Sequence, residues 1–277
     1  MTANDKKVIY LDLDGTLLND KREITDGNRK AIYEALDAGH KVVIATGRPL
    51  ISGVEQAEKL GLTYPGCYCI AYNGSTLYDL SEKKKIFEKT MPLDTVYRIF
   101  DEANRRGLHI QTYSDTRVLV EPRCEGLNVQ RYCSKINMQY EVIGNIRELK
   151  TEPVKVLMID YDDQTEIARM RDWLINDSGF GLDSFFSCKE YVEVVCNGID
   201  KGNAILQMAD ILGIPRSNTI AVGDEANDLG MIRSAAVGVC MANGIAACKE
   251  AADYVTAGDN NHDGVAEVIY RFMLNKD

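Results

Sequence analysis

Apolar residues come in short unbroken runs along the first part of the chain. Val8-Ile9-Tyr10-Leu11 is one, inside a strand expected over 7–13; Lys41-Val42-Val43-Ile44-Ala45 and Tyr68-Cys69-Ile70-Ala71 are two more. Runs this short and apolar, partly β-branched, predict buried strands. Between them, 26–38 and 53–60 read as helices, and such β-α-β-α-β alternation implies a parallel sheet with helices on both faces. The rhythm returns late. Helix 202–212, strand 219–222, helix 228–235 and strand 237–240 follow one another, and helix 246–252, strand 254–255 and helix 265–273 finish the chain.

The middle reads differently. An amphipathic helix over 93–106 precedes strands 109–113 and 117–121, which flank Ser114-Asp115-Thr116, a hairpin signal. Strand 154–161, helix 164–176 and a second hairpin (184–188 with 191–196) follow. Hairpins belong to antiparallel sheets. The expected architecture is therefore α/β: a doubly wound, Rossmann-like parallel sheet built from 1–82 and 197–277, with an α+β unit over 83–196 inserted into it.

Charge sharpens this division. Of the net −10, the insert holds 17 Lys and Arg against 19 Asp and Glu, and the remainder 15 against 23. Acid concentrates in the part that contains Asp12 and Asp14. An acidic chain is a poor partner for nucleic acid or anionic membranes. No apolar run approaches the ~20 residues of a membrane helix, and Val8–Leu11 is far shorter than the core of a signal peptide. The eight cysteines lie mostly within apolar runs, none in a C-x-x-C pair, and the three histidines are far apart. Reduced thiols in a cytoplasmic protein are expected, without structural zinc. Oligomeric state leaves no mark on the sequence.

Four polar groups sit where parallel sheets bind ligands, beyond the carboxyl ends of strands. Asp12 and Asp14 end the first strand. Burying them costs several kcal/mol each unless they are met by charge or hydrogen bonds; capping the turn at Gly15 is the other use open to them. Thr46-Gly47-Arg48 follows the second strand and can either receive a phosphate oxygen or cap the next helix. Asp224, Glu225, Asn227 and Asp228 crowd after strand 219–222; Asp224 and Asp228 could join Asp12 on a hard cation, or the patch is a solvated helix start. Lys201 precedes a helix and would neutralise such carboxylates. Asp259-Asn260-Asn261-His262-Asp263-Gly264 opens like a calcium loop, but its twelfth position is Tyr270 where a glutamate is needed. It reads as a turn feeding the last helix. G-x-S-x-G, H-E-x-x-H and P-loop patterns are absent.

DLDGT at 12–16, TGR at 46–48, Lys201 before a helix and GDEANDLGM at 223–231 resemble, in order, the four motifs of the haloacid dehalogenase superfamily. Asn73-Gly74-Ser75, Asp263-Gly264-Val265 and the inserted α+β unit resemble its Cof-like branch, with a cap of the C2B type. The resemblance implies a Mg²⁺-dependent phosphatase of small phosphorylated metabolites, such as sugar phosphates, working through an aspartyl-phosphate. Asp12 is then the nucleophile and Asp14 the general acid and base. Asp12, Asp224 and the Asp14 carbonyl hold Mg²⁺, with Asp228 in support directly or through water, and Thr46, Gly47, Lys201 and Asn227 hold the phosphoryl oxygens. Arg48 either reaches the substrate or forms a salt bridge. The cap supplies the substrate contact, with Arg117, Arg123, Arg131, Tyr113 and Tyr191 as candidates of no diagnostic spacing. A phosphomutase and a non-catalytic binding module on the same fold are the alternatives.

Overall fold

The computed structural model describes residues 6–276. The chain forms two compact units, one from the part up to Phe87 together with the part from Asp200 on, the other from Glu88–Ile199.

The first unit opens with β1 (Val8–Leu11), α1 (Asp26–Asp37), β2 (Lys41–Ala45), α2 (Leu50–Lys59), β3 (Cys67–Ala71), β4 (Thr76–Asp79) and β5 (Lys84–Glu88). The second holds α3 (Leu93–Arg105), β6 (His109–Tyr113), β7 (Val118–Val120), α4 (Leu127–Ile136), β8 (Tyr140–Val142), β9 (Val156–Ile159), α5 (Thr165–Asn176), β10 (Leu182–Cys188) and β11 (Tyr191–Cys196). The first unit resumes with α6 (Lys201–Ile211), β12 (Thr219–Gly223), α7 (Leu229–Ser234), β13 (Val237–Cys240), α8 (Ala246–Ala251), β14 (Tyr254–Val255) and α9 (Gly264–Val268). A π-helical turn over Ile269–Met273 continues α9.

The eight strands of the first sheet run in the order β14-β13-β12-β1-β2-β3-β4-β5. From β14 to β3 every pairing is parallel, and β4 turns back antiparallel onto β3. β1 lies at the centre with every side chain buried. Val8 and Tyr10 pack with Val43, Ala45 and Ala221 against Ile205 and Met208 of α6 and Met231 of α7. Alternation turns Ile9 and Leu11 to the opposite face. Each fully buried aliphatic side chain contributes about 1.5–3 kcal/mol, and Tyr10 adds a polar tie, its hydroxyl donating to the Ile205 carbonyl at 2.8 Å.

Two strands of this sheet escape a reading by pattern. β4 and β5 form a hairpin whose turn is held by Asp79, which accepts from the Ser81 and Glu82 N–H groups, both at 2.9 Å. Lys83 takes a positive φ there. Because β5 pairs onto β4, the first unit extends to Phe87.

The calcium-like stretch acts as a clamp inside the first unit. Asp263 accepts from the Thr25 hydroxyl at 2.5 Å and the Asn28 N–H at 3.2 Å, adding to the Thr25 N-cap of α1. Asn260 donates to the Leu18 carbonyl at 3.0 Å.

In the second unit six strands run β10-β11-β9-β6-β7-β8, antiparallel except for the β7–β8 pair. The expected hairpins are both present. α4 was not anticipated: it follows Gly126 without a side-chain cap. A buried ion pair, Lys155 to Glu193 at 3.3 Å, lies within this unit.

Candidate active site

The chain leaves β1 for β2 on one side and returns through β12 on the other, so the sheet switches direction at β1. Ligands of open parallel sheets bind at such a point. Asp12 follows β1, Thr46 follows β2 and Asp224 follows β12. The Asp12 N–H donates to the Val222 carbonyl at 3.1 Å, which carries the ladder one residue beyond Leu11.

Asp12, Asp224 and Asp228 are buried, each offering an oxygen within 4.8 Å of the others. Lys201, 1% exposed, donates to Asp12 Oδ1 at 2.5 Å and to Asp228 Oδ1 at 2.7 Å. It begins α6 behind Asp200, which caps that helix by accepting from the Asn203 N–H at 2.9 Å. A cation in a first turn opposes the helix dipole, so Lys201 owes its place to the carboxylates. The other oxygen of Asp228 accepts from the Asp224 and Glu225 N–H groups, both at 3.0 Å. Asp228 thus shapes the loop that carries Asp224. Thr16 completes the cluster by donating to Asp224 Oδ1 at 2.6 Å.

Three carboxylates around one ammonium leave an excess of negative charge in a buried place. Burial raises the Asp12 carboxyl to about 7, with Asp228 and Asp224 adding to the rise and Lys201 opposing it. Burial likewise raises Asp224 to about 6 against the Thr16 hydrogen bond. Burial alone would favour the neutral amine of Lys201, yet Asp12 and Asp228 hold it above the ordinary lysine range. The set wants positive charge. Its donors are all hard oxygens, the chemistry that suits Mg²⁺, so these residues fit the ion.

Asp14 stands apart from the cluster, its side chain 58% exposed. Arg48 holds it in a two-pronged pair, Nε to Oδ2 at 2.9 Å and Nη2 to Oδ1 at 2.5 Å. Of the two uses open to Arg48, the structure displays the salt bridge. Thr46 is buried, and its hydroxyl accepts from the Arg48 N–H at 3.1 Å. Asn227 is exposed on the short turn Ala226–Asp228. Sequence reasoning passed over Thr16 and over Asn243, which donates to the Gly15 carbonyl at 2.7 Å and so braces the turn after Asp14. Thr16 lies inside DLDGT and was legible as part of that motif; Asn243 carried no signal.

The substrate candidates in the second unit are tied within it. Arg123 donates to Asn104 and the Leu108 carbonyl, at 2.9 and 2.6 Å, and Arg117 to Gln139 at 2.9 Å. Arg131 lies 4.1 Å over the Tyr161 ring. The Tyr113 hydroxyl pairs with Tyr132 at 2.6 Å, and that of Tyr191 with Tyr161 at 2.7 Å.

A doubly wound sheet with this lysine-centred carboxylate cluster at its switch point, in a chain that also carries a mixed second sheet, fits the class of phosphate-ester hydrolases. The chain belongs to the haloacid dehalogenase-like hydrolases, whose family model matches residues 9–269, and within them to the Cof-like IIB phosphatases. It is 33% identical over 270 residues to the 5-amino-6-(5-phospho-D-ribitylamino)uracil phosphatase YcsE of Bacillus subtilis, covering 98% of this chain and 97% of that one. It is 26% identical over 275 residues to the pyridoxal phosphate phosphatase YbhA of Escherichia coli, covering 97% and 99%. A haloacid dehalogenase-like hydrolase from Bacteroides thetaiotaomicron superposes with a TM-score of 0.85 at 31% identity, over 96% of this chain and 99% of that one. The protein is a phosphoric monoester hydrolase acting on small phosphomonoesters. Among the described residues no helix is long and apolar enough to cross a membrane.

Proposed function

We propose that this phosphatase is Mg²⁺-dependent, works through a phosphorylated Asp12 and takes phosphate esters of small hydroxylated metabolites. The observation that carries the reading is the buried set Asp12, Asp224, Asp228 and Lys201 at the switch point. When bound, Mg²⁺ would supply charge that offsets the phosphoryl oxygens and keeps the carboxylates ionised; Asp12, Asp224 and the Asp14 carbonyl would hold it, with Asp228 in support directly or through water.

Asp12 attacks phosphorus. Lys201 anchors its Oδ1 and so fixes the rotation of the carboxylate. Asp14 donates a proton to the departing alkoxide and then takes one from water; it must first leave Arg48. Thr46, the Gly47 N–H, Lys201 and Asn227 hold the remaining oxygens, and such positioning with charge stabilisation is most of what phosphoryl transfer requires. The named activities of the two relatives support a small polar leaving group.

Phosphate release from a panel of sugar phosphates, pyridoxal phosphate and the ribitylaminouracil phosphate tests this reading. Turnover is expected to collapse in excess chelator and to return with Mg²⁺. Ca²⁺ is expected to bind and inhibit, because it tolerates a bidentate carboxylate and would engage both oxygens of Asp12. Full turnover in chelator or in Ca²⁺ alone refutes the metal assignment.

The first unit spends its polar groups on the phosphoryl group, so we assign the choice of substrate to the second unit. Replacing Glu88–Ile199 by a short Gly/Ser linker is expected to flatten preference across the panel while p-nitrophenyl phosphate is still cleaved slowly. Unchanged relative rates contradict that assignment.

A further inference from the structure

Tyr72, Asn73 and Gly74 follow β3 with three successive positive φ angles, 51°, 56° and 119°. Asparagine tolerates that region, whereas a tyrosine there is an outlier costing on the order of 1–3 kcal/mol. The strained turn is buried. Its two leading N–H groups are both engaged, Tyr72 donating to the Arg48 carbonyl at 3.0 Å and Asn73 to the Thr46 carbonyl at 3.1 Å.

These bonds set the direction of one peptide. The Thr46–Gly47 peptide is trans, since the described chain holds no cis bond, and in a trans peptide the C=O and N–H point opposite ways. With the Thr46 carbonyl turned onto Asn73, the Gly47 N–H points away from the turn. Among the described residues nothing accepts from it.

The side chain of Asn73 closes the other side of the loop. Its Oδ1 is sealed and has no hydrogen-bond partner. It lies 2.9 Å from where a Cβ on Gly47 would stand, so a larger residue at 47 would have to displace the Asn73 amide. Gly74 in turn lies against α6: a Cβ there would stand 2.9 Å from the Asp200 carbonyl, one residue before Lys201. One strained turn therefore touches both the Gly47 loop and the start of the helix that carries Lys201.

We propose that Tyr72-Asn73-Gly74 is a positioning element for the phosphoryl group: its left-handed backbone aims the Gly47 N–H and holds it in register with Lys201. This rests on the phosphatase reading above. Asn73 is a positioning residue, and what matters at its place is the backbone angle, not the amide.

Asn73→Gly keeps the positive φ without strain, Asn73→Ala resists it, and Asn73→Val resists it most. The measurement is binding of inorganic phosphate by calorimetry with Mg²⁺ present, alongside kcat and KM for p-nitrophenyl phosphate and the melting temperature. Asn73→Gly is expected to bind phosphate within about threefold of the parent. Asn73→Val is expected to lose roughly 10- to 100-fold, the worth of a charge-assisted hydrogen bond, with Asn73→Ala between them. Should the valine variant not fold, the alanine and glycine pair decides. Phosphate affinity equal across the folded variants overturns the proposal, as does an equal loss in Asn73→Gly, which would mean that the amide itself acts. A parent protein that neither binds phosphate nor cleaves p-nitrophenyl phosphate would instead overturn the phosphatase reading.

Discussion

Asp12→Asn is expected to abolish turnover, by a factor on the order of 10⁵–10⁶, the usual consequence of losing a nucleophile. Asp14→Asn is expected to lose about 10²–10⁴-fold, as for a missing general acid and base. The difference in kind matters more than the difference in size. An amide at position 12 offers no anionic oxygen to phosphorus, so no covalent species forms. An amide at position 14 leaves Asp12 and its Lys201 anchor in place. With p-nitrophenyl phosphate the departing phenolate needs little help from an acid, whereas hydrolysis of the phosphoenzyme still needs a base. The Asp14→Asn protein should therefore accumulate an added phosphoryl group, visible as an intact-mass increase after rapid acid quench. The Asp12→Asn protein should show none. If both variants remain unmodified and fully active, the two aspartates serve only the turn. Equal labelling of both places the nucleophile elsewhere.

Lys201→Met should damage stability as well as activity. The ammonium donates to Asp12 Oδ1 and reaches Asp228 too, all three groups being buried. Removing one member of such a set leaves uncompensated charge and costs about 3–5 kcal/mol. The cost depends on pH in a definite direction. Asp12 titrates near 7 in the folded protein, above the 3.8 of a free carboxyl. The folded state thus binds more protons between those values, and stability without metal falls as pH rises from about 4 towards 7. Below about 7 the folded-state Asp12 is neutral and lacks a charge for Lys201 to meet. The deficit of Lys201→Met against the parent should therefore be small at pH 5 and grow as pH passes 7. Urea unfolding of both proteins in chelator, at pH 5 and pH 8, measures it. A deficit equal at both pH values, or larger at pH 5, contradicts the pairing. Turnover at pH 8 should fall by about 10²–10³-fold, as when an oxyanion donor is removed. Saturating Mg²⁺ should flatten the parent's own decline with pH, because it favours the ionised carboxylates.

What the sequence alone determined is local in origin. β1, β2, β3, β12 and β13 were legible because strands buried on both faces must be short and apolar. The ends of β1, β2 and β12 stood out because carboxylates and a T-G-R stretch are costly to place after such strands without a ligand or a cap. Those same places hold the buried Asp12, Asp224 and Thr46 of the candidate site. Even Lys201 could be singled out, though as a residue before a helix it looked ordinary until Asp12 and Asp228 were seen beside it.

Where local signals were weak, the pattern fell short. β5 carries a run of lysines, and α4 has polar residues between its apolar ones and no side-chain cap, so neither announced itself. Tertiary structure alone decided which partners the site residues take. Residues 34 positions apart make the Asp14–Arg48 pair, 189 separate Lys201 from Asp12, and 208 separate Thr16 from Asp224. No periodicity encodes contacts across such distances, because they follow from strand order and register. The left-handed backbone of Tyr72 is of the same kind. Its sequence favours no such angle, and on the neighbouring loop the Arg48 carbonyl accepts its N–H and the Thr46 carbonyl accepts that of Asn73.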